Sequence, residues 1–423
     1  MANGVAEVRP HVPFHVRVLN LSGEARTLRK DTMLGFGLPH PTAVFTVDAD
    51  AAYDTSPVKE KASDASPPDE SWKTDVSLGH LEEDERQRVL AMLARHQSMW
   101  DGHLGTFTAT SHRIELVPDA RPVHCHPYRA GPRARQAETA EVEKILRAGV
   151  IEPAATEWAS PVVLVPKPDG SLRFCVDYRR LNAITVRDTY SLPRIDECID
   201  SLGDSCVFSM LECNTGYWQI PLHEADRDKT TFCSHAGTYR FIRMPFGLRN
   251  APATFQRAID IILSGLKWKT CLVYLDDIIV YSTSREAHLK HLDEVLSTLE
   301  KAGLSRKLSK CHFFKKTVDY LGHVIHPGRL EVAQKNTQAL REAKEPRTQT
   351  DLKSFLGLCN VYRRFVPRFA AIAAPLAALL RKETPFALPE LTAEQLQAFN
   401  VLRERLLKPP ILALPRAEGR LFL

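Results

Sequence analysis

Long apolar runs are missing from this sequence of 423 residues. The longest, over residues 369–380, is about a dozen residues, whereas a helix needs about 20 to cross a bilayer. The N-terminus, Met1-Ala-Asn-Gly-Val-Ala-Glu7, lacks a basic stretch followed by an apolar one, so no secretory leader is expected. Paired cysteines are missing too. The nine, Cys125, Cys175, Cys198, Cys206, Cys213, Cys233, Cys271, Cys311 and Cys359, stand singly, and none forms a CxxC pair. That argues against a tetrathiolate zinc site and against a disulfide framework. An intracellular reducing compartment, cytoplasmic or nuclear, is the expectation. There is no internal repeat and no Asp-Thr-Gly or Asp-Ser-Gly triplet of an aspartic protease. What is present is an ordinary globular composition, 44% hydrophobic and 25% charged. Wholesale disorder is excluded, and at about 150 residues per domain the length suggests two or three domains.

Charge is unevenly spread. The chain holds 56 basic and 51 acidic residues; five and three of them lie in 1–46, three and twelve in 47–85. Residues 86–423 keep 48 basic and 36 acidic, a net of +12. A basic body suits a polyanion such as nucleic acid, although charge alone is a weak indicator.

Residues 1–46 read as short strands, with His15-Val-Arg-Val-Leu-Asn alternating. Residues 47–80, rich in Asp, Ser and Pro, read as an acidic flexible linker. Helical patterns cover 81–100, 136–148, 194–202, 253–263 and 286–302. A hairpin is expected at 161–178 around Pro168-Asp-Gly. Apolar strands are expected at 206–211, 271–274 and 278–281, and one strand at 318–325. Residues 331–407 read as mostly helical, with Thr350 or Asp351 as a cap. This order suggests an α+β protein on an antiparallel sheet.

The sharpest chemical signal is Tyr274-Leu275-Asp276-Asp277. Two adjacent carboxylates sit at a tight turn between apolar strands. Like charges this close repel unless a cation neutralises them, and oxygen ligands suit Mg²⁺, which keeps waters and takes substrate phosphates. Alone, the pair reads more readily as a polar hairpin turn. Four more blocks accompany it: Val163-Leu-Val-Pro-Lys167-Pro-Asp-Gly-Ser-Leu-Arg173, Phe208-Ser-Met-Leu-Glu212-Cys-Asn-Thr-Gly-Tyr217-Trp, Phe241-Ile-Arg-Met-Pro-Phe246-Gly247 and Tyr320-Leu-Gly322-His323.

In order and spacing, these blocks over residues 120–330 closely resemble the reverse transcriptase region of the Pol polyprotein of gypsy-class LTR retrotransposons. The resemblance implies a right-hand polymerase fold of fingers, palm and thumb, with an antiparallel palm sheet and a helical connection. It divides the chain into a post-protease-like strand segment (1–46), the linker (47–80), fingers, palm and thumb (81–330), a connection (331–384) and the start of an RNase H-like domain (385–423). No protease, complete RNase H or integrase is expected. The implied activity is RNA-directed DNA polymerisation: extension of a primer on an RNA or DNA template with dNTPs, using two Mg²⁺ ions, with no membrane partner and with other polyprotein domains as further partners. Glu212, Asp276 and Asp277 match the catalytic, metal-holding acids. Lys167, Arg173, Tyr217, Phe246 and Gly247 match the dNTP pocket, with Tyr217 as the gate against a ribose 2′-hydroxyl. Gly322 and His323 match the strand that grips the primer.

One departure stands out. The family has Asp where this chain has Glu212. The extra methylene moves the carboxylate by roughly 1–1.5 Å, octahedral Mg²⁺ tolerates little displacement, and a misplacement of about 1 Å can cost on the order of a hundredfold in rate. Impaired activity is expected, with partial rescue by Mn²⁺. The rival reading is a catalytically inactive, nucleic-acid-binding remnant of a retrotransposon Pol. Other clusters are weaker. His124-Cys125-His126 has no second ligand pair to complete a zinc site. His288 and His291 lack an HExxH glutamate and read as surface residues. Arg306, Lys307, Lys310, Lys315 and Lys316 read either as a track for a duplex backbone or as a solvated basic face.

Overall fold

The computed structural model describes residues 71–166, 172–213, 215–381, 391–410 and 412–415, the side chains of Ser71 and of 334–337 aside. The expected strands of 1–46, most of the linker and Lys167 lie outside the described residues. Residues 71–80 differ from a flexible linker: Ser71–Asp75 form a 3-10 turn, and Trp72 and Leu78 are buried. Two large apolar side chains suffice to anchor so short a stretch where a core receives them, here with the Trp72 ring 6.5 Å from that of Trp100. All nine cysteines are free. Among the described residues no helix is long and apolar enough to cross a membrane.

Helix α1 (Glu83–Arg95) opens on three acids, which suit the positive end of the helix dipole, and buries Val89, Met92 and Leu93. Helix α2 (Pro132–Arg147) starts earlier than its apolar pattern suggests, because Pro132 fits the first helical turn. Then follow β1 (Ile151–Pro153), β2 (Ser160–Pro166), β3 (Leu172–Val176), α3 (Arg179–Ile184), α4 (Ile195–Asp200), β4 (Val207–Glu212), β5 (Phe232–Ser234) and β6 (Gly237–Phe241). After α5 (Ala251–Ile262) come β7 (Cys271–Tyr274), β8 (Asp277–Ser282), α6 (Arg285–Lys301) and β9 (His312–Lys315). One sheet has the order β1-β6-β5-β2-β3, antiparallel except at β2/β5. A central sheet, β7-β8-β4-β9, is antiparallel throughout.

The single strand expected at 318–325 is in fact a hairpin, β10 (Val318–Tyr320) and β11 (His323–His326). Leu321 and Gly322 take φ of 47° and 84°, a left-handed pair that reverses the chain and that glycine adopts without steric cost. Strands β12 (Arg329–Val332) and β13 (Leu412–Ala413) complete this third sheet. Helices α7 (Gln334–Glu342), α8 (Gln349–Val361), α9 (Phe369–Ala378) and α10 (Ala393–Leu407) make the expected helical stretch. The cap of α8 is Thr348, not Thr350 or Asp351; Asp351 is the reciprocal member of its capping box.

The central sheet is buried on both faces. Val207, Leu211, Val273, Ile278 and Val280 enter a core shared with α1, α2, α5 and α6. The alternate residues Phe208, Leu272, Ile279 and Tyr281 enter a second core shared with α8, α9, α10 and the third sheet. This explains why β8 reads as a continuous apolar run rather than an alternation. It also means that the segment after residue 330 packs directly under the sheet.

His288 is fully buried rather than at the surface. Its Nε2 lies 2.7 Å from Ser209 Oγ on β4 and its Nδ1 3.0 Å from Ser282 Oγ on β8. Ser209 lies 79 residues away on β4, so a helical pattern does not reveal it. Burial pushes the His288 imidazole down to about 3, and that of buried His112 down to about 4. Both values fall below the ordinary histidine value of 6.5, so the unfolded chain takes up these protons first. Their stabilisation is present above pH 6.5 and drains as the pH falls toward 4 and then 3. Each histidine is expected to cost on the order of 2 kcal/mol between pH 7 and pH 5. Urea unfolding at the two pH values measures it, and equal stabilities would refute it.

Candidate active site

The two acids of the Tyr274–Asp277 motif are set by a two-residue turn. Tyr274 pairs with Asp277 across β7 and β8, leaving Leu275 and Asp276 at the tip. Leu275 has φ of 53°, a left-handed conformation that a bulky residue rarely holds without support. Gln256 on α5 provides that support. Its Oε1 accepts from the Leu275 N–H at 2.7 Å, while its Nε2 donates to the Val273 carbonyl at 3.1 Å and to Asp260 at 2.9 Å. The sequence reading missed Gln256. The available signal was a lone amide on the apolar face of an amphipathic helix, between Phe255 and Ile259, where a buried polar group must find partners. Gln256→Leu strands an N–H and a carbonyl and is expected to cost about 1–3 kcal/mol, read as a lower urea midpoint.

Glu212 is the last residue of β4 and lies directly opposite Asp277 in the β4/β8 register. The structure thus brings the three predicted acids to one end of the central sheet. Asp276 Oδ1 is buried and has no hydrogen-bond partner. Burial first, then the charges of Asp277 and Glu212, push the Asp276 carboxyl up to about 6, against the opposing pull of Arg306 and Lys310. Gly216 is required beside it: a Cβ there would stand 2.7 Å from Asp276 Oδ1 and 3.0 Å from Phe255.

Two cations enter this end of the sheet from the turn after α6. The Lys310 ammonium pairs with the Glu212 carboxylate. Arg306 departs from the solvated-face reading: it is 2% exposed, and its Nη1 donates to Cys213 Sγ. Cys213, next to Glu212, pairs with Arg306 as an isolated antiparallel bridge. Burial pushes the Cys213 thiol up to about 12, so it stays protonated.

In donor chemistry three carboxylates suit an oxygen-seeking divalent cation, and the orphaned Asp276 Oδ1 is a ready ligand atom. As folded, however, no group of three or more His, Cys, Asp or Glu side chains among the described residues converges closely enough to hold a metal. The Glu212 side chain is engaged with Lys310 instead.

The remaining predicted residues are partly gathered here. Tyr217 is 9% exposed, stacks on Phe246 at 4.9 Å and leans on Phe255 at 5.4 Å. Phe246 is 48% exposed and lies on the outer side of this stack, edge-on to Trp218 at 6.2 Å. The Gly247 carbonyl accepts from Asn182 Nδ2 at 2.8 Å. Arg173 is exposed on β3 opposite Val165, in the five-stranded sheet. His323 belongs to the third sheet; its ring is buried between Tyr362 and Phe365, at 5.2 and 5.9 Å. That side chain anchors the hairpin in the second core, and burial holds its imidazole below the ordinary value.

A two-faced antiparallel sheet with paired acids on its central hairpin, flanked by a second sheet and by helices, is the palm of a right-hand polymerase. The solved foamy viral protease-reverse transcriptase has the same fold. In complex with dsDNA it superposes with a TM-score of 0.72 at 24% identity, over 82% of this chain and 73% of that one. In complex with RNA/DNA hybrid the TM-score is 0.68 at 23% identity, over 79% and 45%. The family described as Reverse transcriptase (RNA-dependent DNA polymerase) matches residues 165–325. The chain carries a reverse transcriptase domain, of the kind found in gypsy-class Pol polyproteins. It is 35% identical over 353 residues to the Pol polyprotein from Drosophila melanogaster transposon 297, covering 82% of this chain and 33% of that protein. To that of transposon opus, from the same organism, it is 37% identical over 328 residues, covering 74% and 32%. The chain thus spans about a third of the length of these relatives.

Proposed function

We propose that this chain is the polymerase segment of a retrotransposon Pol, extending a primer on an RNA or DNA template with dNTPs. The observation that carries the reading is the meeting of Glu212, Asp276 and Asp277 at one end of the palm sheet, with Asp276 Oδ1 buried and unpartnered. These three residues would hold two Mg²⁺. Divalent ions bound there supply the charge that activates a primer 3′-hydroxyl and stabilises a leaving pyrophosphate. Arg173, with Lys167, grips the triphosphate as a bidentate or point-charge partner. Tyr217, stacked beneath Phe246, bounds the sugar, and Gly247 lines the pocket. The Gly322 turn faces the primer through its backbone, with His323 as its buried anchor. The basic body suits a phosphate backbone, and the foamy viral enzyme, solved with RNA/DNA hybrid and with dsDNA, favours the same partner. Residues 1–46 and 385–423 are then pieces of flanking polyprotein segments, and 331–384 is the connection.

The Lys310–Glu212 pair favours a second reading, a segment that binds template-primer without extending it. Primer extension on poly(rA) with oligo(dT), in Mg²⁺ and then in Mn²⁺, decides between them when run beside fluorescence anisotropy on a labelled template-primer. Extension supports the polymerase. Binding without extension supports the second reading. A folded chain that does neither refutes both.

A further inference from the structure

The turn carrying Arg306 and Lys310 has no role in the reaction as described, yet it sends two cations to the acid cluster. Arg306 is the costlier. Its backbone N–H is fixed to the Met99 carbonyl at 2.7 Å. Its Nη1 meets the Cys213 thiol, while Nε and Nη2 are buried with no hydrogen-bond partner. A buried guanidinium cannot shed its charge, and burying a charge is expensive unless an opposite charge is near. The bridge to Cys213, next to Glu212, brings Arg306 to the end of the sheet where Asp276 holds a buried, unpartnered Oδ1, and Arg306 favours that residue's carboxylate form. Lys310 does the corresponding work at Glu212, in a pair that is half open to solvent. Each resident cation offsets one carboxylate charge and so weakens the attraction for a dication.

We propose that Arg306 and Lys310 form a resident cation clamp that competes with divalent metal for Asp276 and Glu212 and so sets the metal affinity of this site. The clamp has an inner and an outer jaw. Arg306 is locked by burial and cannot leave. Lys310 is on a flexible stem at the surface and can swing away when metal, or the phosphate backbone of a bound duplex, offers its charge another partner. The inference rests on the metal-holding role given to the three acids above.

Mn²⁺ titration followed by electron paramagnetic resonance, without nucleic acid, tests it on the full chain and on Lys310→Met, Arg306→Met and Lys310→Met/Asp276→Asn. Lys310 is exposed, so Lys310→Met is expected to fold, which circular dichroism checks; the test therefore does not depend on Arg306→Met folding. Lys310→Met is expected to bind Mn²⁺ on the order of tenfold more tightly than the unmodified chain. The added Asp276→Asn should erase the gain. Equal affinity in the unmodified chain and Lys310→Met would overturn the clamp while leaving the acids as metal ligands. No binding by any folded variant would overturn both.

Discussion

Replacing Glu212 with Asp is expected to raise Mg²⁺-dependent primer extension on the order of a hundredfold. Glu212 ends β4 opposite Asp277, so its backbone is fixed by the ladder and only its side-chain length is free to change. The shorter side chain draws the carboxylate back toward Asp277 and away from the Lys310 ammonium that now holds it. Both shifts favour a shared divalent ion, which tolerates little misplacement when the ion is Mg²⁺. Mn²⁺ should narrow the difference between the two chains. Steady-state extension rates in each metal measure this. Equal Mg²⁺ rates in Glu212→Asp and the unmodified chain would sink the idea that the longer acid limits activity.

Asp276→Asn is expected to separate function from stability. Extension should fall by about a thousandfold or more, since the neutral amide neither holds a dication nor offsets developing charge. Metal-free stability should rise. The folded-state carboxyl is pushed up to about 6 from the ordinary aspartate value of 3.8. At pH 7 the charged form therefore costs the folded protein free energy, a cost present above the folded value and relieved as the pH falls through it. Removing the charge returns about 2 kcal/mol, less than the full shift because the side chain is partly exposed. Urea unfolding in EDTA reads the gain, and primer extension reads the loss. A variant that loses both stability and extension would show that the Asp276 charge offsets buried Arg306 by more than it costs the fold. An active site that stores unfavourable charge for a ligand should show the opposite signs.

Much of the palm was legible before any coordinates. The apolar runs of β7 and β8 with acids between them mark a buried hairpin, and the order of five blocks carries the resemblance to reverse transcriptases. The strand of Glu212 was legible for the same reason. The errors have one physical origin. The pattern assigns His288 to the surface and Arg306 either to a duplex-tracking face or to a solvated one, because composition assigns polar residues to water by default. Each is instead buried against partners from strands that no local pattern ties to it: Ser209 lies 79 residues from His288, and Cys213 lies 93 from Arg306. The 318–325 strand failed for a different reason. Its apolar pattern runs on through Leu321 and Gly322, and only their left-handed backbone shows the reversal.

By itself the sequence determined the fold class, the apolar strands that flank the acids and the family of the domain, because periodicity and motif order are properties of the chain alone. The tertiary structure alone decided what surrounds those acids. Gln256 holds the hairpin turn, Arg306 is buried against Cys213 next to Glu212, and Lys310, 98 residues from Glu212, occupies its carboxylate. Electrostatic energy depends on distance in space and on exclusion of water, and neither is written in the spacing of residues along the chain.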